Sequence, residues 1–242
     1  MLPPEPLRVR VGGNTDEETY IQVGKRAAEK LTAVISEYAP GAEDVLDWGC
    51  GPGRVAVHLN YPGLYGCDPD PEGVAWCNTN LAEGRFVTSG LYPPLPYEAE
   101  SFDAIIAVSV MTHLLRNVQR MWLAELARVL RPGGIFVATV HGEAAARAFN
   151  ITDLGNGIQD HWLDPFMAGI LSADYYKTVL QSETYTRKSW RQYFDIVSYE
   201  TPGLELHDVV VCRKKLCRNT KRRPLQAHPL SFRITSRARD LP

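Results

Sequence analysis

The residues best suited to chemistry fall in one short turn. Asp47, Gly49, Gly51 and Gly53 alternate within Val45–Arg54 (VLDWGCGPGR), where an apolar strand meets the start of a predicted helix. Glycines let the backbone turn sharply and approach a ligand with no Cβ in the way. The helix N-terminus that follows offers unpaired N–H groups and a partial positive charge. A turn of this kind at the carboxyl end of a strand suits a nucleotide-like ligand. A second acidic residue, Asp68, closes the next strand (Tyr65-Gly-Cys-Asp68), 21 residues after Asp47. Its two oxygens can accept both hydroxyls of a ribose. That spacing suits a nicotinamide cofactor as well, so it points to a ribose and not to one cofactor. Arg54 stands where the last glycine of a dinucleotide fingerprint belongs, and no G-K-[ST] ending supports a triphosphate.

The elements that must position these residues alternate along the chain. Residues 1–16, rich in Pro and Gly, read as an irregular lead-in. Glu17–Tyr38 has helical apolar spacing and stops at Pro40-Gly41. Strands are predicted at Asp44–Asp47, Gly63–Cys67, Arg85–Thr88, Phe102–Val110 and Gly134–Val140, with helices at Arg54–Asn60, Pro71–Leu81 and Val118–Leu130. Leu130–Gly134 reads as a helix stop and turn. Alternation at this spacing means a parallel sheet with helices on its faces. His141–Leu180 breaks the rhythm, as mixed loop and short helix containing Phe149, Trp162, Phe166, Tyr175 and Tyr176. Asp195–Thr201 and His207–Arg213, joined through Pro202-Gly203, predict an antiparallel pair at the end of the sheet.

Composition adds limits. With 242 residues, 45% hydrophobic and 22% charged, the chain has the make-up of an ordinary soluble domain. No apolar run reaches the ~18–20 residues of a membrane span, and Met1–Pro6 lacks the pattern of a signal peptide. Five scattered cysteines without a C-x-x-C pair predict free thiols in a reducing cytoplasm and no metal site. The net charge of −2 hides an asymmetry: Arg213–Pro242 holds ten Lys or Arg against Asp240 alone. The bland reading is a solvated, disordered tail over 214–242. The sharper one is a handle for RNA or another anionic surface.

Taken together, Asp47-x-Gly-x-Gly-x-Gly, Asp68, Ser101-Phe-Asp103 and Leu130-Arg-Pro-Gly-Gly134 resemble the class I S-adenosylmethionine-dependent methyltransferases. Val11-Gly-Gly13 with Gly24, Ala75-Trp-Cys77 and Ser109-Val-Met-Thr-His-Leu114 bring the chain nearest a bacterial small-molecule group of them. The resemblance implies an α/β fold of three layers: a Rossmann-like, mostly parallel seven-stranded sheet, antiparallel last strand, helices on both faces. It implies one domain over 1–213, with 141–180 as a substrate-covering insertion. It further implies S-adenosyl-L-methionine as cofactor. Asp47, Gly49, Gly51 and Gly53 would surround its methionine portion, Asp68 would hold the ribose, and Pro69 would lie near the adenine. Gly90 and Leu91 follow the third strand, where Ser89-Gly90-Leu91 replaces the family's usual acidic residue. Ser109 would face the methionine end, and Tyr20 with Gly24 would close over the cofactor. Tyr92-Pro-Pro94 lies before the fourth strand and reads as a turn, not as the signature of amino-group methylation.

Such a fold predicts in-line methyl transfer, in which the protein aligns donor and acceptor and excludes water. A hydroxyl or ammonium acceptor must also lose a proton. His113, after the fourth strand, and His141, after the fifth with Glu143 nearby, are the candidate bases, since histidine titrates near neutrality. Each has a structural alternative as a capping or loop residue. The expected acceptor is a small molecule, such as a sugar or other metabolite, bound among aromatic residues of the insertion. An RNA or protein methyltransferase docking through the tail and a non-catalytic cofactor-binding module are the alternatives. The sequence leaves oligomeric state open.

Overall fold

A computed structural model of the chain describes residues 2–12, 16–163 and 175–216. Nine strands and six helices are described: α1 (Glu5–Gly12), α2 (Glu17–Tyr38), β1 (Asp44–Trp48), β2 (Gly63–Asp68), α3 (Pro71–Asn80), β3 (Gly84–Thr88), β4 (Phe102–Ala107), α4 (Arg116–Val129), β5 (Leu130–Val140), α5 (Glu143–Ala148), β6 (Ile158–Leu163), β7 (Lys177–Gln181), α6 (Glu183–Trp190), β8 (Phe194–Leu204) and β9 (His207–Lys214).

Seven strands form one sheet in the order β3-β2-β1-β4-β5-β9-β8. β1 to β5 pair in parallel, and β9 runs antiparallel to both β5 and β8. The sheet is buried on both faces because successive side chains alternate sides. Val45, Ala104, Ile106, Ile135 and Val137 pack under α2 and α3. Leu46, Ile105, Phe136 and Ala138 pack on the other side, against Trp122 and Leu126 of α4 and Trp190 of α6. The strand order reverses between β1 and β4, which opens a crevice at the carboxyl edge. The opposite edge is pinned by charge. Arg131 donates to Asp103 at 2.6 Å and to Asp44 at 2.8 Å, while Asp103 also accepts from the Glu43 and Asp44 amides. Asp103 is therefore a structural residue far from the crevice.

The three-layer arrangement with its antiparallel strand is as expected, but five local expectations need correction. The lead-in contains α1, with Pro6 in its first turn, where a missing N–H costs nothing. The helix expected at Arg54–Asn60 is a single 3₁₀ turn, Ala56–His58. The glycine turn consumes residues through Arg54 and Pro62 follows closely, leaving too few residues to repay helix nucleation. The strand expected to reach Val110 stops at Ala107, because Ser109 adopts a left-handed φ of 57°. Leu130–Gly134 is not a separate turn; Leu130 pairs with Phe102 at the start of β5, with a register shift before Ile135. Finally, the 141–180 region holds an antiparallel pair, β6 and β7, beside the short α5. Phe166, Cys217, most of the basic tail and the side chain of Trp162 lie outside the described residues. Among the described residues, no helix is long and apolar enough to cross a membrane.

Candidate active site

The glycine turn is tied down from β2. The amides of Gly49 and Cys50 both donate to the Cys67 carbonyl, at 2.8 and 3.2 Å. The Gly51 amide donates to Asp68 Oδ2 at 2.8 Å, and the thiols of Cys50 and Cys77 approach the Gly51 carbonyl at 3.5 Å. Gly49, Gly51 and Gly53 have φ of 80°, 51° and 75°, and a Cβ on each would strike Val110, Val11 or Leu81. Only glycine meets both conditions. The turn is thus held by neighbouring strands and helices and not by a long helix behind it, contrary to the sequence expectation.

Asp68 lies at the crevice with a second task that sequence did not reveal. Its Oδ1 accepts from the Asp70 amide at 2.8 Å while Oδ2 holds the turn. A carboxylate has about four lone-pair sites, so capacity remains for a ribose. Asp47 is buried at the end of β1, and its Oδ2 has no hydrogen-bond partner. Burial, then the neighbouring Asp68 charge, push its pKa up to about 7, against the pull of Arg54. Burial likewise raises Asp68 to about 6, opposed by the two amides it accepts from. Pro69 and Leu91 are half-buried beyond their strands, and Gly90 is exposed. Tyr20 is buried on α2 with its hydroxyl unpartnered. Ser109 is held in its left-handed conformation by a hydrogen bond that its backbone N–H donates to Thr139 Oγ1 at 2.8 Å. Strain of this kind, about 1 kcal/mol or more, persists where the surroundings enforce it.

His113 and His141 come together at the carboxyl edge, with ring centroids 6.1 Å apart. His113 stacks on Tyr176 at 4.2 Å, and His141 meets Phe149 edge-on at 5.7 Å. A third imidazole, His207, lies 4.9 Å from His141. Burial is the main cause that pushes His207 down to about 4, with the His113 and Arg54 charges adding to it. Sequence reasoning missed His207 because it opens a strand of no chemical character. Only the reversed direction of β9 carries it to the crevice edge. Reasoning also missed α1, whose Arg10 reaches Asp70 and Glu72 at 2.7 and 2.6 Å and whose Val11 covers Gly51. Glu143 is exposed, and His58 lines an apolar cavity of about 230 Å³ together with Tyr20, Gly53 and Trp76.

A family model for a methyltransferase domain matches residues 46–138, from β1 into β5. Over 138 residues the chain is 30% identical to tRNA (carboxymethyluridine(34)-5-O)-methyltransferase of Arabidopsis thaliana, covering 55% of this chain and 33% of that protein. Over 101 residues it is 39% identical to fatty-acid O-methyltransferase of Mycolicibacterium smegmatis, covering 39% of this chain and 36% of that protein. A solved S-adenosylmethionine-dependent methyltransferase of Methanosarcina mazei shares the fold, with a TM-score of 0.57 at 19% identity over 76% of this chain and 97% of that one. The chain spans about a third of the length of these two curated relatives. Residues 46–138, which hold the glycine turn and Asp68, match a methyltransferase domain, and the fold is shared with solved S-adenosylmethionine-dependent methyltransferases. Over those residues the chain carries a methyltransferase domain, and S-adenosyl-L-methionine is the cofactor of such a domain. The residues present fit it: the orphaned Asp47 oxygen and Tyr20 hydroxyl lie on two elements that flank the turn, and Asp68 retains acceptor capacity.

Proposed function

We propose that this domain transfers a methyl group to a hydroxyl or amine of a small-molecule acceptor, with His113 or His141 receiving the acceptor's proton. The observation that carries this reading is the approach of the two imidazoles at the crevice edge, beside the strained Ser109. The cofactor supplies an electrophilic methyl group on a sulfonium. Asp47 and the turn Gly49–Gly53 orient its methionine portion, Asp68 binds the ribose, and Pro69, Gly90 and Leu91 line the adenine end. Ser109 fixes the loop that faces the reacting centre, and Tyr20 on α2 closes the crevice against water. Tyr176 and Phe149 hold the two histidines in place and give the acceptor an apolar wall. The buried free thiols of Cys50, Cys67, Cys77 and Cys212 suit a reducing, cytoplasmic setting. A metabolite screen with purified protein, read by S-adenosylhomocysteine release, tests the proposal. Release with a small molecule that is lost in His113→Gln or His141→Gln supports it; release driven only by RNA or protein overturns it.

A second reading is favoured by the basic stretch after β9 and by the tRNA named for one relative. Here the tail would bring RNA to the same crevice. The chain should be cut after Leu216, because Arg213 and Lys214 belong to the fold: Arg213 bonds the Gly133 and Tyr38 carbonyls, and Lys214 that of Leu130. On the small-molecule reading this truncation keeps full turnover. Loss of turnover by a folded truncation would favour RNA.

A further inference from the structure

Strand β7 is bonded to both segments that carry the candidate bases. The Lys177 amide donates to the His113 carbonyl at 3.0 Å, and the Val179 amide to that of Thr112 at 2.8 Å. At the other end of the strand, the Gln181 amide donates to the His141 carbonyl at 2.9 Å. Tyr176, one residue before β7, stacks on the His113 ring at 4.2 Å.

A chain of buried side chains joins the same segments. Gln119, in the first turn of α4, donates from Nε2 to the carbonyls of Met111 and Leu114, on either side of His113, at 3.2 and 3.0 Å. The same nitrogen donates to Gln181 Oε1 at 2.8 Å. Its two hydrogens therefore serve three acceptors, with one bond shared. Gln181 Nε2 donates in turn to Thr186 Oγ1 at 2.8 Å, and Thr186 to the carbonyl of Ser182, the N-cap of α6, at 2.9 Å. Gln119 is 2% exposed, and Gln181 and Thr186 are fully buried.

Stability alone does not ask for this arrangement, because apolar side chains of the same shape can replace a buried hydrogen-bonded pair at little net cost. What an apolar pair lacks is direction. A methionine adapts to its surroundings, whereas a satisfied amide network holds its partners at one distance and angle. The two amides are placed to fix Gln181, and with it the His141 carbonyl, against the loop of His113.

On the reading that His113 or His141 takes the acceptor's proton, we propose that Gln119 and Gln181 are positioning residues that set the two imidazoles at their 6.1 Å separation. Through them β7 assembles the catalytic edge from two segments that are distant in sequence.

NMR on the full chain with labelled histidine tests this, the rings being assigned from His113→Gln and His141→Gln. The wild type should show a nuclear Overhauser contact between the His113 and His141 ring protons. Gln181→Met keeps the length of the side chain without its amide, and should lose that contact while the amide resonances of Gly49, Gly51 and Gly53 stay in place. Gln119→Met should do the same. In Gln181→Glu burial favours the neutral acid, whose carbonyl accepts from Gln119 and whose O–H donates to Thr186, so the contact should be kept. Retention of the contact in both Met variants would overturn the inference. Loss of the contact in Gln181→Glu as well would overturn it too, as would displaced glycine resonances in both Met variants, which would make the pair a general support of the fold. A wild type without the contact would instead defeat the paired-imidazole reading on which the inference rests.

Discussion

Lowering the pH should weaken binding of the cofactor more steeply than surface carboxylates would allow. Asp47 and Asp68 sit at the end of adjacent parallel strands, and burial raises their pKa values to about 7 and about 6. In the proposed function both must be ionised, Asp47 to face the methionine portion of the cofactor and Asp68 to bind its ribose. As the pH falls through each value, the free site gains a proton that the ligand must displace. Treated as independent, the two sites cost about 100-fold in affinity between about pH 8 and about pH 5.5, close to 3 kcal/mol. Because the two charges interact, the midpoints belong to the pair, but their sum governs the total loss. Isothermal calorimetry with S-adenosylhomocysteine, repeated in buffers of different ionisation enthalpy, should show proton release on binding that grows below about pH 7. Asp47→Asn should remove the upper inflection and keep the lower. Affinity constant within threefold across this range, in protein shown to be folded, would refute the placement of these carboxylates on the ligand.

Two other perturbations follow from the same geometry. His207 is held neutral by burial with a pKa of about 4, so the unfolded chain binds its proton more readily than the folded one. Stability should therefore fall as the pH drops from about 6.5 to about 4, by at most about 3 kcal/mol, and His207→Phe should flatten that slope in urea unfolding; an unchanged slope would place the ring in solvent. Gly24→Ala would set a methyl group 2.2 Å from a backbone oxygen of Arg54, which cannot swing aside. It should cost about 1–3 kcal/mol in unfolding and weaken cofactor binding by separating α2 from the turn; a neutral result would mean the contact is loose.

The parts of the fold that depend on local pattern were readable in advance. Strands buried on both faces show as short apolar runs such as Val45-Leu46 and Val209–Val211, and the alternating glycines mark the tight turn that follows β1. Features held by distant partners were hidden. α1 follows Pro3-Pro4 and carries Pro6 and two β-branched valines, a poor helix on propensity, and it is anchored by Leu7 in the core and by Arg10 on Asp70 and Glu72. β6 and β7 are joined through residues that interrupt any hairpin signal, so only their mutual register identifies them. Asp68 read correctly as an acidic strand end, but its grip on the Gly51 amide depends on a turn folded back from β1. His207 reaches His141 only through the antiparallel return of β9.

The central claim is that the Asp47–Gly53 turn and Asp68 form the cofactor site, and equilibrium binding of labelled S-adenosylmethionine to the full chain tests it most directly. The account predicts saturable binding at one site per chain, weakened at least about 100-fold in Asp68→Ala by loss of charge-assisted bonds to the ribose hydroxyls and of the grip on the turn. No binding by folded wild-type protein, or equal affinity in the wild type and Asp68→Ala, would contradict it.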